Sequence, residues 1–208
     1  MSKLAKATLI SLFTIALFTA LNFGQQTLEQ SANAVNNDRM APQFIVDPYW
    51  PQPLPNKWLL GRTIGIAVDE RDHLYVVHRD QDAMFMSQEL GLDLGRAECC
   101  SAAPPILEFD RDGNLINSWG GPGEGYTWPE SNHGIDVAPN GDVWIGGNGS
   151  SDSHVLVFTR EGQFVREIGY PGEPINSNST TSFGRVAEIA IDAEAGEAYL
   201  ADGYGNKR

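Results

Sequence analysis

One strand-turn-strand phrase recurs along the chain, and its recurrence limits the fold more than any other feature. Gly65-Ile66-Ala67-Val68-Asp69, a short polar turn and Leu74-Tyr75-Val76-Val77-His78 form the first copy. Gly134-Ile135-Asp136-Val137, the turn Pro139-Asn140-Gly141-Asp142 and Val143-Trp144-Ile145 form the second. Glu188-Ile189-Ala190-Ile191-Asp192, the turn Glu194-Ala195-Gly196 and Ala198-Tyr199-Leu200-Ala201-Asp202 form the third. Each joins β-branched and aromatic runs through turn formers, which is the signature of a hairpin. A second kind of hairpin stands between the copies, Ile106 to Phe109 with Leu115 to Trp119, and Val155 to Phe158 with Phe164 to Gly169. The Asp-Gly, Asn-Gly and Glu-Gly turns suit tight hairpins in which a central residue takes positive φ.

Two hairpins per unit make a four-stranded antiparallel sheet, and units recurring at about 40 to 50 residues mark the blades of a β-propeller. The copies begin at Gly65, Gly134 and Glu188, 69 and 54 residues apart. The longer interval is read as an insertion at residues 80 to 105, on a rim where such a fold keeps its binding surface. A β-sandwich is the competing all-β fold, but it does not repeat a whole four-strand phrase. The 22 glycines and 12 prolines agree with short strands and argue against a helix bundle.

The chain ahead of the repeats has another character. Lys3 and Lys6 precede a charge-free apolar run from Ala7 to Phe23, and a polar stretch with Ala32-Asn33-Ala34 follows. Residues 1–34 therefore read as a secretory signal peptide and predict a secreted or periplasmic protein. An uncleaved anchor is the alternative, although the run is near the lower limit of about 17 residues for a spanning helix. Residues 35–60 form a proline-rich entry segment, extended around Asp47-Pro48-Tyr49-Trp50-Pro51, and residues 61–208 hold the blades. A net charge of −13 argues against a nucleic-acid partner, and no membrane contact is expected beyond the signal segment. Cys99 and Cys100 are adjacent, so they cannot staple distant strands. They form a vicinal bridge, pair elsewhere, or are two small loop residues.

Candidate chemistry sits at strand ends. His78-Arg79 closes the second strand of the first copy, and alternation sends their side chains to opposite faces. His133 stands immediately before the second copy, and Tyr204 follows Asp202-Gly203 after the third. Each also has a plainer reading. His133 suits a hydrogen-bonded surface residue, Arg79 an ion pair with Asp80 or Asp82, and Tyr204 filler between blades. The five tryptophans read as blade packing rather than a ligand cage.

At these residues the sequence resembles the peptidyl-α-hydroxyglycine α-amidating lyases, which are six-bladed propellers related to the NHL-repeat proteins. Gly65-Ile66-Ala67-Val68-Asp69 followed by His78-Arg79 is similar to that family's Gly-Val-Ala-Leu-Asp and His-Arg pair. His133-Gly134-Ile135-Asp136 resembles its His-Gly-Leu-Ser-Ile-Asp segment, and Asp202-Gly203-Tyr204-Gly205-Asn206-Lys207-Arg208 resembles Asp-Gly-Tyr-Cys-Asn-Ser-Arg. The resemblance covers residues 60 to 208. It implies that Arg79 holds a substrate carboxylate, that His133 is one of three zinc ligands, and that Tyr204 is the general base. It also implies that the backbone carbonyls of Ile66 and Ile135 help to hold a structural calcium. The implied cofactors are Zn²⁺ and Ca²⁺, and the implied partner is a peptide or small amide with a C-terminal α-hydroxyglycine.

The departures are specific. The family's cysteine after the tyrosine is Gly205 here, and its disulfide partner aligns with Gly184, so both members of that bridge are missing together. Catalytic zinc takes three protein ligands, and only His133 falls on a matched position. Six blades at about 40 to 50 residues each need about 240 to 300 residues. The expectation is thus an all-β, NHL-like six-bladed propeller truncated to roughly half its blades, with the remaining ligands beyond Arg208. A non-catalytic NHL-repeat propeller that binds a protein or glycan on its loop face is the alternative function. A metal-dependent lactone hydrolase would want a carboxylate-rich calcium centre, and the acidic residues do not fall at matching blade positions.

Overall fold

The computed structural model describes residues 17–30, 44–80 and 100–208. Two compact units divide at Asp47 and Pro48. In the first, residues 17–30 are helical, and among the described residues no helix is long and apolar enough to cross a membrane. Most of the expected insertion, and Cys99 with it, lies outside the described residues, as do Asp82 and residues 1–16 and 31–34 of the expected leader. Cys100 is disulfide-bonded.

The second unit is all β. Its strands are β1 (Trp58–Leu59), β2 (Arg62–Val68), β3 (Leu74–Arg79), β4 (Ser101–Ala102), β5 (Ile106–Phe109) and β6 (Leu115–Trp119). They continue with β7 (Asn132–Val137), β8 (Val143–Gly147), β9 (His154–Phe158), β10 (Phe164–Gly169), β11 (Glu188–Asp192) and β12 (Glu197–Ala201). Two antiparallel sheets of four strands run in the orders β2-β3-β5-β6 and β7-β8-β9-β10, β11 pairs with β12, and β1 lies parallel to β4.

Four hairpins close in one way. In each, the fourth loop residue donates its N–H to the carbonyl of the first, as in Asp72 to Asp69, Gly113 to Asp110, Gly141 to Ala138 and Gly162 to Thr159. The residue with positive φ is that fourth one, at 60° for Asp72, 82° for Gly113, 91° for Gly141 and 81° for Gly162. The glycine therefore acts one step later than in a two-residue turn. The loop is a common turn followed by a left-handed residue, a form that also twists the strands correctly. Asp72 serves in the first hairpin because a short polar side chain tolerates that conformation.

Alternating side chains let the sheets stack face to face. Ala67, Tyr75, Val77 and Ile106 of the first sheet pack against Ile135, Val143, Ile145, Leu156 and Phe158 of the second. The other face of the second sheet, with Val155 and Trp144, meets Val186, Ile189, Ile191 and Leu200. All five residues of β9 are buried because both of its faces are covered. Phe158 anchors an aromatic cluster, with ring centroids 5.1 Å from Trp119, 5.0 Å from Tyr126 and 5.8 Å from Trp128. The remaining tryptophans, Trp50, Trp58 and Trp144, also pack against core clusters.

The first strand of each unit lies beside the first strand of the next, and glycine permits it. A Cβ on Gly65 would stand 2.9 Å from the His133 carbonyl oxygen and 3.1 Å from Ile135 Cγ2. On Gly134 it would stand 2.9 Å from Glu188 Cα and 3.0 Å from the Ala187 carbonyl. Because the obstacle is backbone, Gly134→Ala is expected to destabilise the protein by about 1–3 kcal/mol. Gly203→Ala, where a Cβ meets nothing within 4 Å, should stay within about 0.5 kcal/mol of the parent. Urea unfolding of the two variants checks this, and equal losses would contradict it.

Candidate functional site

The tight contacts gather one end of the three sheets. There β3 ends in His78-Arg79, β7 begins with Asn132-His133, and the loop after β12 carries Tyr204. Asn132 Nδ2 donates to the His78 carbonyl at 3.0 Å. Arg79 Nε donates to the Asn132 carbonyl at 3.4 Å, and its Nη2 donates to Asn148 Oδ1 at 2.9 Å. Arg79 as a whole is only partly buried.

His133 links the second unit to the third. Its Nδ1 lies 2.6 Å from the Ala187 carbonyl oxygen and its Nε2 lies 3.2 Å from Tyr204 Oη. A carbonyl only accepts, so Nδ1 carries the hydrogen and Nε2 presents a lone pair to the tyrosine hydroxyl. The two rings meet edge to face, 5.1 Å between centroids and 62° between planes. Tyr204 is otherwise exposed. Its loop is pinned by the buried Asp202, which accepts from Gly184 N–H, Asn206 Nδ2 and Arg208 Nε.

Gly184 and Gly205, where the resemblance lacks its cysteine pair, are in direct contact. Gly205 N–H donates to the Gly184 carbonyl at 2.8 Å, and a Cβ on Gly205 would stand 2.8 Å from that oxygen. A close backbone approach joins the two loops at this point.

Thus the structure brings His133 and Tyr204 into contact and sets Arg79 beside Asn132, one residue before His133. Ile66 and Ile135 lie one residue beyond Gly65 and Gly134 on the neighbouring strands β2 and β7; the Ile135 side chain is buried and that of Ile66 exposed. The motifs could not reveal Asn148, Asn132 and the Ala187 carbonyl, which hold Arg79 and His133. Asn148-Gly149-Ser150 reads only as a glycosylation sequon.

The donor set tests the implied metals. His133 suits a zinc ligand, because a carbonyl fixes its tautomer and leaves Nε2 to bind. Among the described residues no second histidine joins it. His78 uses Nδ1 to accept from Gly61 N–H and Nε2 to donate to the Pro104 carbonyl, and His154 Nε2 donates to the Thr127 carbonyl. One imidazole does not make the three-ligand set of a catalytic zinc. Two backbone carbonyls likewise fall short of the six to eight oxygens that calcium takes. His73 stands in a separate group with Asp69 and Glu108 at the turn end of β2 and β3. A cation already serves that group, since Arg71 meets Asp69 at 2.7 Å and Glu108 at 2.6 Å.

Comparison with known proteins follows the same line. Over 157 residues, 72% of this chain and 40% of the relative, the sequence is 26% identical to a probable peptidyl-alpha-hydroxyglycine alpha-amidating lyase of Caenorhabditis elegans. Over 107 residues, 49% of this chain and 29% of each relative, it is 31% identical to NHL repeat-containing protein 3 of Homo sapiens and 30% to that of Mus musculus. The chain resembles the NHL-repeat and amidating-lyase proteins. It spans less than half the length of these curated relatives. No family model matches it.

His78, next to the candidate arginine, generates a pH prediction. Burial holds its imidazole below the ordinary histidine value, against the opposing pull of the Pro104 carbonyl. The unfolded chain therefore takes up a proton near the ordinary value of about 6.5 while the folded chain stays neutral. Stability is expected to fall as pH drops below that point, by up to about 1.4 kcal/mol per pH unit until the folded histidine titrates. Urea unfolding at pH 7 and pH 5.5 should show a smaller pH dependence in His78→Gln than in the parent. An unchanged dependence would contradict this.

Proposed function

We propose that the chain is part of an exported, NHL-like six-bladed β-propeller that cleaves a C-terminal α-hydroxyglycine from a peptide or small amide. The observation that carries the reading is the meeting of Tyr204 with His133 at 3.2 Å, at the strand ends where Arg79 is also held. All three stand on the motifs of the resemblance, and the relative matched over 72% of the chain bears the lyase name. The propeller reading is supported by the repeated meanders and by what their stack leaves outside. Ile66 and Val68 on the outward face of the first sheet are 62% and 59% exposed, and Tyr199 on that of the third is 57% exposed. A ring that returns on itself covers such faces without edges. The leader before the blades supports a secreted or periplasmic location.

In this reading Arg79 takes the substrate carboxylate through its guanidinium, with Asn148 and the Asn132 carbonyl fixing the angle. Tyr204 removes the proton from the α-hydroxyl, the carbon–nitrogen bond breaks, and the nitrogen takes up a proton. A hydroxyl-bearing carbon thereby becomes the aldehyde of glyoxylate, and the peptide leaves as its amide. His133 would contribute one of the three ligands of a zinc ion, the other two not being among the described residues, and such an ion would polarise the substrate hydroxyl. Calcium, with the carbonyls of Ile66 and Ile135 among its ligands, would brace adjacent strands.

The test is to incubate the protein with α-hydroxyhippurate, zinc and calcium. Glyoxylate and benzamide should form in equal amounts, and chelation should abolish the activity. Arg79→Ala should raise KM on the order of tenfold or more, because a charge-assisted hydrogen bond is lost. No glyoxylate under these conditions would leave a non-catalytic propeller that binds a protein or glycan. The likeness to NHL repeat-containing protein 3, whose name gives a repeat and no activity, is compatible with that second reading.

A further inference from the structure

We infer that two buried aspartates, Asp152 and Asp202, are positioning residues that separately set the arginine side and the tyrosine side of the site. The catalytic consequence rests on the lyase reading above, while the geometry stands without it. Asp152 is 3% exposed and Asp202 2%, and each carboxylate is surrounded by three N–H donors.

Asp152 works on the arginine side. Its Oδ1 accepts from Glu130 N–H at 2.7 Å, and its Oδ2 accepts from Ser131 N–H at 3.1 Å and Gly149 N–H at 2.7 Å. Glu130 and Ser131 lead into β7, and Gly149 follows Asn148, the acceptor for Arg79. Asn148 N–H in turn donates to the Ser131 carbonyl at 2.9 Å. One carboxylate therefore fixes the loop that aims Arg79 against the strand that begins with Asn132.

Asp202 does the same for Tyr204. Its Oδ1 accepts from Gly184 N–H at 2.5 Å, and its Oδ2 accepts from Asn206 Nδ2 at 2.7 Å and Arg208 Nε at 2.9 Å. Residues 202 to 206 form an arch that begins at this carboxylate and returns to it through Asn206, with Tyr204 in its middle. The two halves of the rim also join, because the Asp152 carbonyl accepts from Arg185 N–H at 3.0 Å. Substitution by asparagine preserves shape but points an amide N–H₂ at donors, so the effect is local repulsion rather than a cavity.

Asp202→Asn and Asp152→Asn test this. In Asp202→Asn, the cross-peaks between the His133 and Tyr204 rings in nuclear magnetic resonance spectra should weaken, and kcat should fall on the order of 10- to 100-fold with KM little changed. In Asp152→Asn, KM should rise and the ring contact should persist. Asn206→Ala, which keeps the charge and removes one donor, should weaken the ring contact in the same direction as Asp202→Asn but less. If the folded variants differ from the parent only in melting temperature, with ring contact, kcat and KM unchanged, the proposal is overturned. If the parent itself releases no glyoxylate, the lyase reading fails alone. The ring contact then decides the positioning, and its persistence in Asp202→Asn and Asn206→Ala would overturn the role of Asp202.

Discussion

Backbone meets backbone where one unit's first strand crosses to the next, and the rest of the molecule is arranged around that approach. At Gly65 and Gly134 a side chain of any size would push against the main chain of the neighbouring strand. With the gap closed, the broad faces of the sheets seal their apolar residues, and β9 is enclosed from both sides. The third copy departs from this pattern, since Glu188 occupies the place of the glycine. Its exposed side chain folds back to accept from Ile189 N–H.

The same approach makes the site. Closing the strands by backbone contact puts the Ala187 carbonyl within 2.6 Å of His133 Nδ1, which decides the tautomer, and the tautomer decides what Nε2 presents. Asp136 repeats the theme at the other end of β7, where its Oδ2 accepts from Ile191 N–H at 2.7 Å. Polar groups at these seams are satisfied across units, so the bonds from Arg79 to Asn148, from His133 to the Ala187 carbonyl and from Ile191 to Asp136 also register one sheet on another.

Strands were legible in the sequence because their cause is local. The limits of β5, β6, β10 and β11 agree with the alternating runs to the residue. β2 begins three residues earlier than its motif because an irregularity between Thr63 and Gly65 carries the pairing onward to Arg62 and Arg79. The two-residue strands β1 and β4 have no pattern of their own and form because their chains meet. Of the site, residue types were legible and their partners were not. Arg79 and Asn148 are 69 positions apart, and His133 and Tyr204 are 71 apart. Asp202 opens a motif that the sequence shows and Asp152 belongs to none, but nothing in a single sequence marks which carboxylate will find three N–H groups turned towards it.

The His133–Tyr204 contact also constrains any chemistry assigned to the pair. An imidazole whose Nδ1 donates has one lone pair left, on Nε2, and in this structure Tyr204 faces it. That lone pair cannot accept the tyrosine proton and ligate a cation together. While the tyrosine donates to it, the phenol is held against His133 and is not turned to substrate. Once the nitrogen is engaged elsewhere, the hydroxyl loses this acceptor. On the proposed reading the roles of ligand and base would be coupled by one pair of electrons, and the arch at Asp202 holds the loop that brings Tyr204 to His133.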